Sequence, residues 1–199
     1  MNSLSMATLL LITLLPSSLA QTYNEMTPST YFHPKTNLTF TTWTAPPGTS
    51  STEKPFMFGT VPSLSTPSSY TGILKCKTPG WCGLSHGPSM LQQLLLVTWV
   101  ELVTKTVKTQ FRIADDYFEP YLYTGSLEPV LEQLEATVNE DGNEFEIVYR
   151  CKGCAAESGI KELGYAVSLD RPFTVEDEGK SRVKVEFHDE AYGIWDISG

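Results

Sequence analysis

Short runs rich in β-branched and aromatic residues alternate along this chain with clusters of Pro, Gly, Ser and Asn, the punctuation of an all-β protein. Residues 38–43, 54–61, 70–77 and 81–87 predict four strands, with Ala45-Pro46-Pro47-Gly48 and Ser65-Thr66-Pro67-Ser68-Ser69 among the breaks. Residues 94–99 (Leu94-Leu95-Leu96-Val97-Thr98-Trp99) are the most apolar run and predict a central strand buried on both faces. Residues 145–150 alternate, with Phe145, Ile147 and Tyr149 on one face and Glu146, Val148 and Arg150 on the other, the pattern of a half-buried strand. Leu127, Val130, Leu131 and Leu134 recur at helical spacing with Glu128, Glu132 and Glu135 between them, so a short helix and a strand compete there. Residues 164–169 and 183–187 bring the count to about nine or ten strands, which suits a two-sheet antiparallel β-sandwich or a barrel.

Residues 1–20 break this pattern. An apolar run over residues 6–15 ends in Ser18-Leu19-Ala20, the small-x-small sequence that signal peptidase accepts, and it is too short to span a bilayer. The reading is a signal peptide over 1–20 and a single domain over 21–199, enough chain for one sizeable core. No other run reaches membrane-spanning length, so the expected product is a soluble, extracellular monomer. A formal net charge of -9 argues against a nucleic-acid partner, since phosphate binding wants clustered Lys and Arg. Asn37-Leu38-Thr39 is the one glycosylation acceptor sequence, relevant because of the secretory leader.

The four cysteines form two close pairs, Cys76 with Cys82 and Cys151 with Cys154. In an oxidising compartment they read first as disulfides, the former closing a hairpin about Thr78-Pro79-Gly80, the latter a very small loop turned by Gly153. A zinc half-site, a redox pair and a covalent haem anchor are the competing readings of Cys-x-x-Cys. Zinc would need a second close ligand pair, and the anchor a His where Ala155 stands.

Past the leader the chain has three histidines, His33, His86 and His188, and three methionines, Met26, Met57 and Met90. A His and a Met could close both axial positions of an electron-passing haem, although a lone Met in a β protein is more often core filler. The neighbourhoods change the balance. Gly83-Leu84-Ser85-His86-Gly87-Pro88-Ser89-Met90 followed by residues 94–99 resembles the cytochrome segment of fungal cellobiose dehydrogenases, as do Arg112-Ile113-Ala114-Asp115-Asp116-Tyr117 with Pro120 and Tyr123-Thr124-Gly125, Arg150-Cys151-Lys152-Gly153-Cys154, and His188 with its aromatic-Gly-aromatic run to Asp196.

The resemblance implies a DOMON-type β-sandwich and a b-type haem held without covalent bonds, with Met90 and His188 as axial ligands. It also implies a disulfide between Cys151 and Cys154. Tyr117 and Tyr123 are candidate hydrogen-bond partners of a haem propionate and Arg112 a candidate counter-ion, each weighed against packing or a solvated strand end. Trp81 and Trp99 read as core. The chain departs from the pattern at His86, which stands where the family is apolar and is a rival for the metal; in a longer hairpin after Trp99; in one extra residue after His188; and in the Cys76/Cys82 pair.

The implied function is an electron carrier between a flavin dehydrogenase and an acceptor such as a copper polysaccharide monooxygenase, not an enzyme on its own. No dinucleotide-binding glycine motif is present. A haem-free module for carbohydrate or small ligands is the alternative. A glycosidase using Glu186 and Glu190 ranks last, because carboxylates are plentiful in so acidic a chain.

Overall fold

A computed structural model describes residues 27–48, 55–61, 68–116, 119–154, 160–177, 180–185, 188 and 190–197. The proposed signal peptide and Tyr117 lie outside these. The strands are β1 (Ser29–His33), β2 (Leu38–Thr44), β3 (Phe56–Thr60), β4 (Tyr70–Lys77), β5 (Trp81–Ser85), β6 (Leu95–Glu101), β7 (Thr106–Ile113), β8 (Tyr121–Leu122), β9 (Val130–Val138), β10 (Glu144–Lys152), β11 (Glu162–Ser168), β12 (Phe173–Asp177), β13 (Lys180–Lys184) and β14 (Ala191–Asp196). They form two six-stranded antiparallel sheets, β1-β2-β3-β4-β10-β9 and β14-β11-β5-β6-β7-β8, with β12 and β13 paired only to each other. No described residue is helical. The predicted β-sandwich is the observed fold.

Period-2 alternation builds the core between the sheets. Phe56, Phe58, Leu74, Ile147 and Tyr149 of the first sheet meet Leu84, Leu96, Leu163, Tyr165 and Trp195 of the second. Tyr165 and Trp195 stack at 4.3 Å, and Trp195 lies 5.6 Å from Phe56. The expected central strand is β6, buried on both faces along nearly its whole length.

The contest between helix and strand resolves as β9, whose pairing with β10 slips between Val148 and Tyr149. Both faces of β9 are covered, and that produces the false helical period: Leu131 packs against the main core, Leu134 packs on the opposite face with Val148, and beyond the bulge Ala136 and Val138 return to the main core.

The disulfide Cys76–Cys82 forms, but not across a hairpin: β4 and β5 belong to different sheets, so the bridge ties the two layers at the point where the chain crosses. The Thr78 hydroxyl donates to the Ser168 carbonyl at 2.6 Å and accepts from the Gly80 N–H, which turns the chain between layers. Cys151–Cys154 closes the small loop expected of it, with Gly153 at φ 66.

The first sheet rolls on itself. β1 and β10 are separated by three strands, yet Tyr31 donates to Glu146 at 3.0 Å, His33 Nε2 lies 3.1 Å from the same carboxylate, and Lys35 meets Glu135 at 2.6 Å. Phe40, Ile73 and Val148 are wholly buried inside this curl although they point away from the main core.

Candidate functional site on the outward face of the second sheet

The outward face of the second sheet carries its own apolar cluster: Trp81, Val97, Trp99, Ala166 and Val185, with Met90 and Val183 packed against it. Register explains why these residues meet. Trp81 pairs with Trp99, and Ala166 sits between Gly83 on one side and Tyr192 on the other. Gly164, two residues from Ala166, shares that face and lies roughly 7 Å away along the strand. Positions 83, 164 and 166 therefore form a strip with no side chain larger than a methyl.

Met90 is delivered by the loop between β5 and β6. The Ser85 hydroxyl donates to the Ser89 carbonyl, the Gly164 N–H donates to the Gly87 carbonyl at 2.8 Å, and the Gln92 N–H donates to the Ala114 carbonyl at 2.7 Å. Gln92 takes a positive φ of 56 to make that last turn. The thioether ends over Gly164: a Cβ added there would lie 3.6 Å from Met90 Sδ and only 3.1 Å from the Ser85 Cβ. His188 approaches the same face from the segment after β13. Its ring lies 4.9 Å from that of Tyr192, the outward-facing residue paired with Ala166. The two expected axial residues thus share one face.

His86, four residues before Met90, points the other way. Its ring is held in the main core, where Nδ1–H donates to the Leu94 carbonyl at 2.9 Å. That bond fixes the tautomer, so Nε2 accepts from the Tyr70 hydroxyl at 2.7 Å, and Tyr70 in turn accepts from Tyr149 at 3.2 Å. Burial pulls the His86 pKa down to about 4, opposed by the Leu94 carbonyl. Burial pushes both tyrosines well above their ordinary range. His86 shares with the Cys151 and Cys154 sulfurs a span of 4.8 Å, but those sulfurs are bonded to each other and offer no thiolate.

Arg112 is 2% exposed. Nη1 donates to the Pro120 carbonyl at 2.6 Å, Nη2 to the Val183 carbonyl at 2.5 Å and to Gln110 Oε1 at 2.7 Å, and Nε to Gln110 Oε1 at 3.2 Å. Burial lowers its pKa, Glu119 raises it and Arg182 lowers it further. Tyr123 lies elsewhere: it packs against the main core, and its hydroxyl accepts from the Leu127 N–H at 3.2 Å. Asn37 is exposed in the turn between β1 and β2, at φ 55. Glu190 is buried with its carboxylate against Gly48, and Glu186 lies outside the described residues.

Sequence reasoning missed the small-residue strip and the indole of Trp81, whose buried Nε1–H has no acceptor among the described residues. Small residues at alternate positions, Gly164 and Ala166, were the available signal for the strip. A thioether, an imidazole, a flat strip between hydrophobic walls and an unspent donor form a set that suits a haem.

Site and sandwich together define a cytochrome-type domain, the class of protein that carries an electron on a haem. The chain belongs to the family of the cytochrome domain of cellobiose dehydrogenase, whose model matches residues 31–198. Among solved structures it is similar to the cytochrome domain of Myriococcum thermophilum cellobiose dehydrogenase, with 29% identity, a TM-score of 0.68, and 84% of this chain and 86% of that one covered. It is also similar to the cytochrome b domain of pyranose dehydrogenase from Coprinopsis cinerea, with 28% identity, a TM-score of 0.63, and 86% and 89% covered. A curated relative is the pyrroloquinoline quinone-dependent pyranose dehydrogenase of Coprinopsis cinerea, 30% identical over 133 residues, 61% of this chain. The match spans 18% of that protein's length.

Proposed function

We propose that this chain binds a b-type haem between Met90 and His188 and passes single electrons from a sugar dehydrogenase to an external acceptor. The observation that supports this best is that the Met90 thioether and the His188 ring reach the same outward face of the second sheet, the sulfur over Gly164 and the ring beside Tyr192, which pairs with Ala166. A haem ligated by Met and His supplies a one-electron couple with no coordination position left for substrate. The protein's own residues do the rest. The bonds from Ser85 to Ser89 and from Gly164 to Gly87 hold the loop that presents the sulfur. Trp81, Val97, Trp99 and Val185 exclude water. All four cysteines are in disulfides, which favours a non-covalent cofactor.

Arg112 keeps one N–H beyond its four bonds to protein oxygens, and that hydrogen suits a propionate. Tyr117 is a further candidate on the family resemblance, and Tyr123, whose hydroxyl oxygen accepts from the Leu127 N–H, keeps its own proton to donate. The relatives are dehydrogenase domains, so the donor class is a flavin or quinone sugar dehydrogenase; a copper polysaccharide monooxygenase is the proposed acceptor. We read residues 1–20 as a secretory leader, residues 21–199 as one extracellular, monomeric domain, and Asn37 as glycosylated.

Oxidised and reduced visible spectra of the purified chain, before and after hemin addition, test the proposal. A low-spin, six-coordinate spectrum is expected. Met90→Ala should open a position that binds carbon monoxide in the reduced state, and His188→Ala should abolish the native spectrum while His86→Ala keeps it. The ligand assignment fails if His188→Ala retains that spectrum. A folded, colourless preparation that refuses hemin favours a haem-free binding module.

A further inference from the structure

Strands β12 and β13 belong to neither sheet. The hairpin lies on the second sheet's outward face, where Val183 of β13 and the adjoining Val185 pack with Trp81, Val97, Trp99 and Ala166. Beyond Val185 the chain runs to His188 within three residues. An apolar footing of two valines is slight. A surface ion pair, Arg182 to Glu119 at 3.9 Å, adds little because both charges are partly solvated.

Arg112 supplies the firm attachment. It projects from β7 on the same outward face, and its buried guanidinium joins three segments through oxygens: Gln110 on its own strand, the Pro120 carbonyl before β8, and the Val183 carbonyl on the hairpin. A planar fork with five N–H groups can hold all of these at once, which no other side chain can do.

We infer that Arg112 is a positioning residue that latches the β12–β13 hairpin over the face and thereby fixes where His188 sits. The consequence for ligation rests on the haem reading; the latch itself is a property of the chain with or without haem. Loss of the guanidinium strands the Pro120 and Val183 carbonyls in a buried site and frees the hairpin to lift. A lysine reaches one carbonyl at most, so Arg112→Lys should retain part of the hold.

The test has two arms. In the haem-free chain, amide hydrogen exchange over residues 173–185 should be about tenfold faster in Arg112→Met than in wild type, with Arg112→Lys between, while exchange in β4 and β10 stays unchanged. Trypsin should cut first after Lys180, Arg182 or Lys184 in that variant. In the hemin-loaded chain, Arg112→Met should convert part of the six-coordinate spectrum to one lacking the imidazole and release haem about tenfold faster. Unchanged hairpin exchange in Arg112→Met overturns the latch whatever the haem does, and leaves a propionate role. A loosened hairpin with unaltered ligation shows Arg112 to be merely structural and overturns the positioning role. A loosened hairpin in a chain whose wild type takes no hemin sinks the haem reading and leaves the latch standing. Should Arg112→Met fail to fold, Gln110→Ala weakens the same fork, and the same ranking of hairpin exchange is expected of it.

Discussion

His86 and Met90 stand four residues apart and do opposite things, because one lies under the sheet and the other over it. From sequence His86 was a rival for the metal, since spacing cannot say which side of a loop a ring takes. Its bonds to Leu94 and Tyr70 hold it half-buried on the inner side of the sheet, in its neutral form. A base whose pKa falls from 6.5 to about 4 on folding takes up its proton in the unfolded chain first. Stability is therefore full above pH 6.5, declines as pH falls toward 4, and loses nothing further from this group below that. The amount at stake is on the order of 3 kcal/mol. Urea midpoints at pH 7, 5.5 and 4 should show the decline, and His86→Gln should flatten it while lowering stability at pH 7. Parallel slopes for the two proteins would remove His86 from the acid response. The partners of Arg112 were equally invisible: two are backbone carbonyls, which leave no mark in a sequence.

Elements were legible where alternation was clean and illegible where one residue broke it. The expected strand over 70–77 is β4 to the residue, and β6 and β10 differ from expectation by one or two positions at their ends. β9 read as a possible helix because it carries apolar residues on both faces, Leu131 toward the main core and Leu134 toward the curl, so that their spacing is not the even one of a half-buried strand. β7 escaped notice because its outward positions, Lys108, Gln110 and Arg112, are all polar. The Cys76–Cys82 bridge was correctly paired but wrongly placed, since a six-residue separation looks like a hairpin until the sheets are known. Replacing both cysteines by Ser should cost about 2 kcal/mol in thermal or urea unfolding. The small-residue strip makes a sharper prediction. Gly164→Val drives its branches against Ser85 and Met90, so methionine ligation should be lost from the spectrum while stability falls by only about 1–3 kcal/mol. Native ligation in that variant would move the sulfur's working position off β11.

For the molecule as a whole, charged and polar groups at the rim of the first sheet decide its curvature. Glu146 receives both the Tyr31 hydroxyl and the His33 ring, and Lys35 reaches Glu135. No alternation pattern encodes such closure, because it joins strands that are never neighbours in a ladder. Glu146→Ala should speed hydrogen exchange in β1 and β2 and cost about 1–3 kcal/mol, with the spectrum of a hemin-loaded chain unaltered. A spectral change would mean that the curl reaches across the core to the other layer.

The rolled margin has a consequence for traffic. One broad side of the protein is sealed by its own edge strand, and a thickness of about 10 Å of interdigitated side chains separates the two layers. On the proposed function, a haem held on the far face would meet donor and acceptor from that same face, and a partner that lingers there would inhibit the other by occupancy.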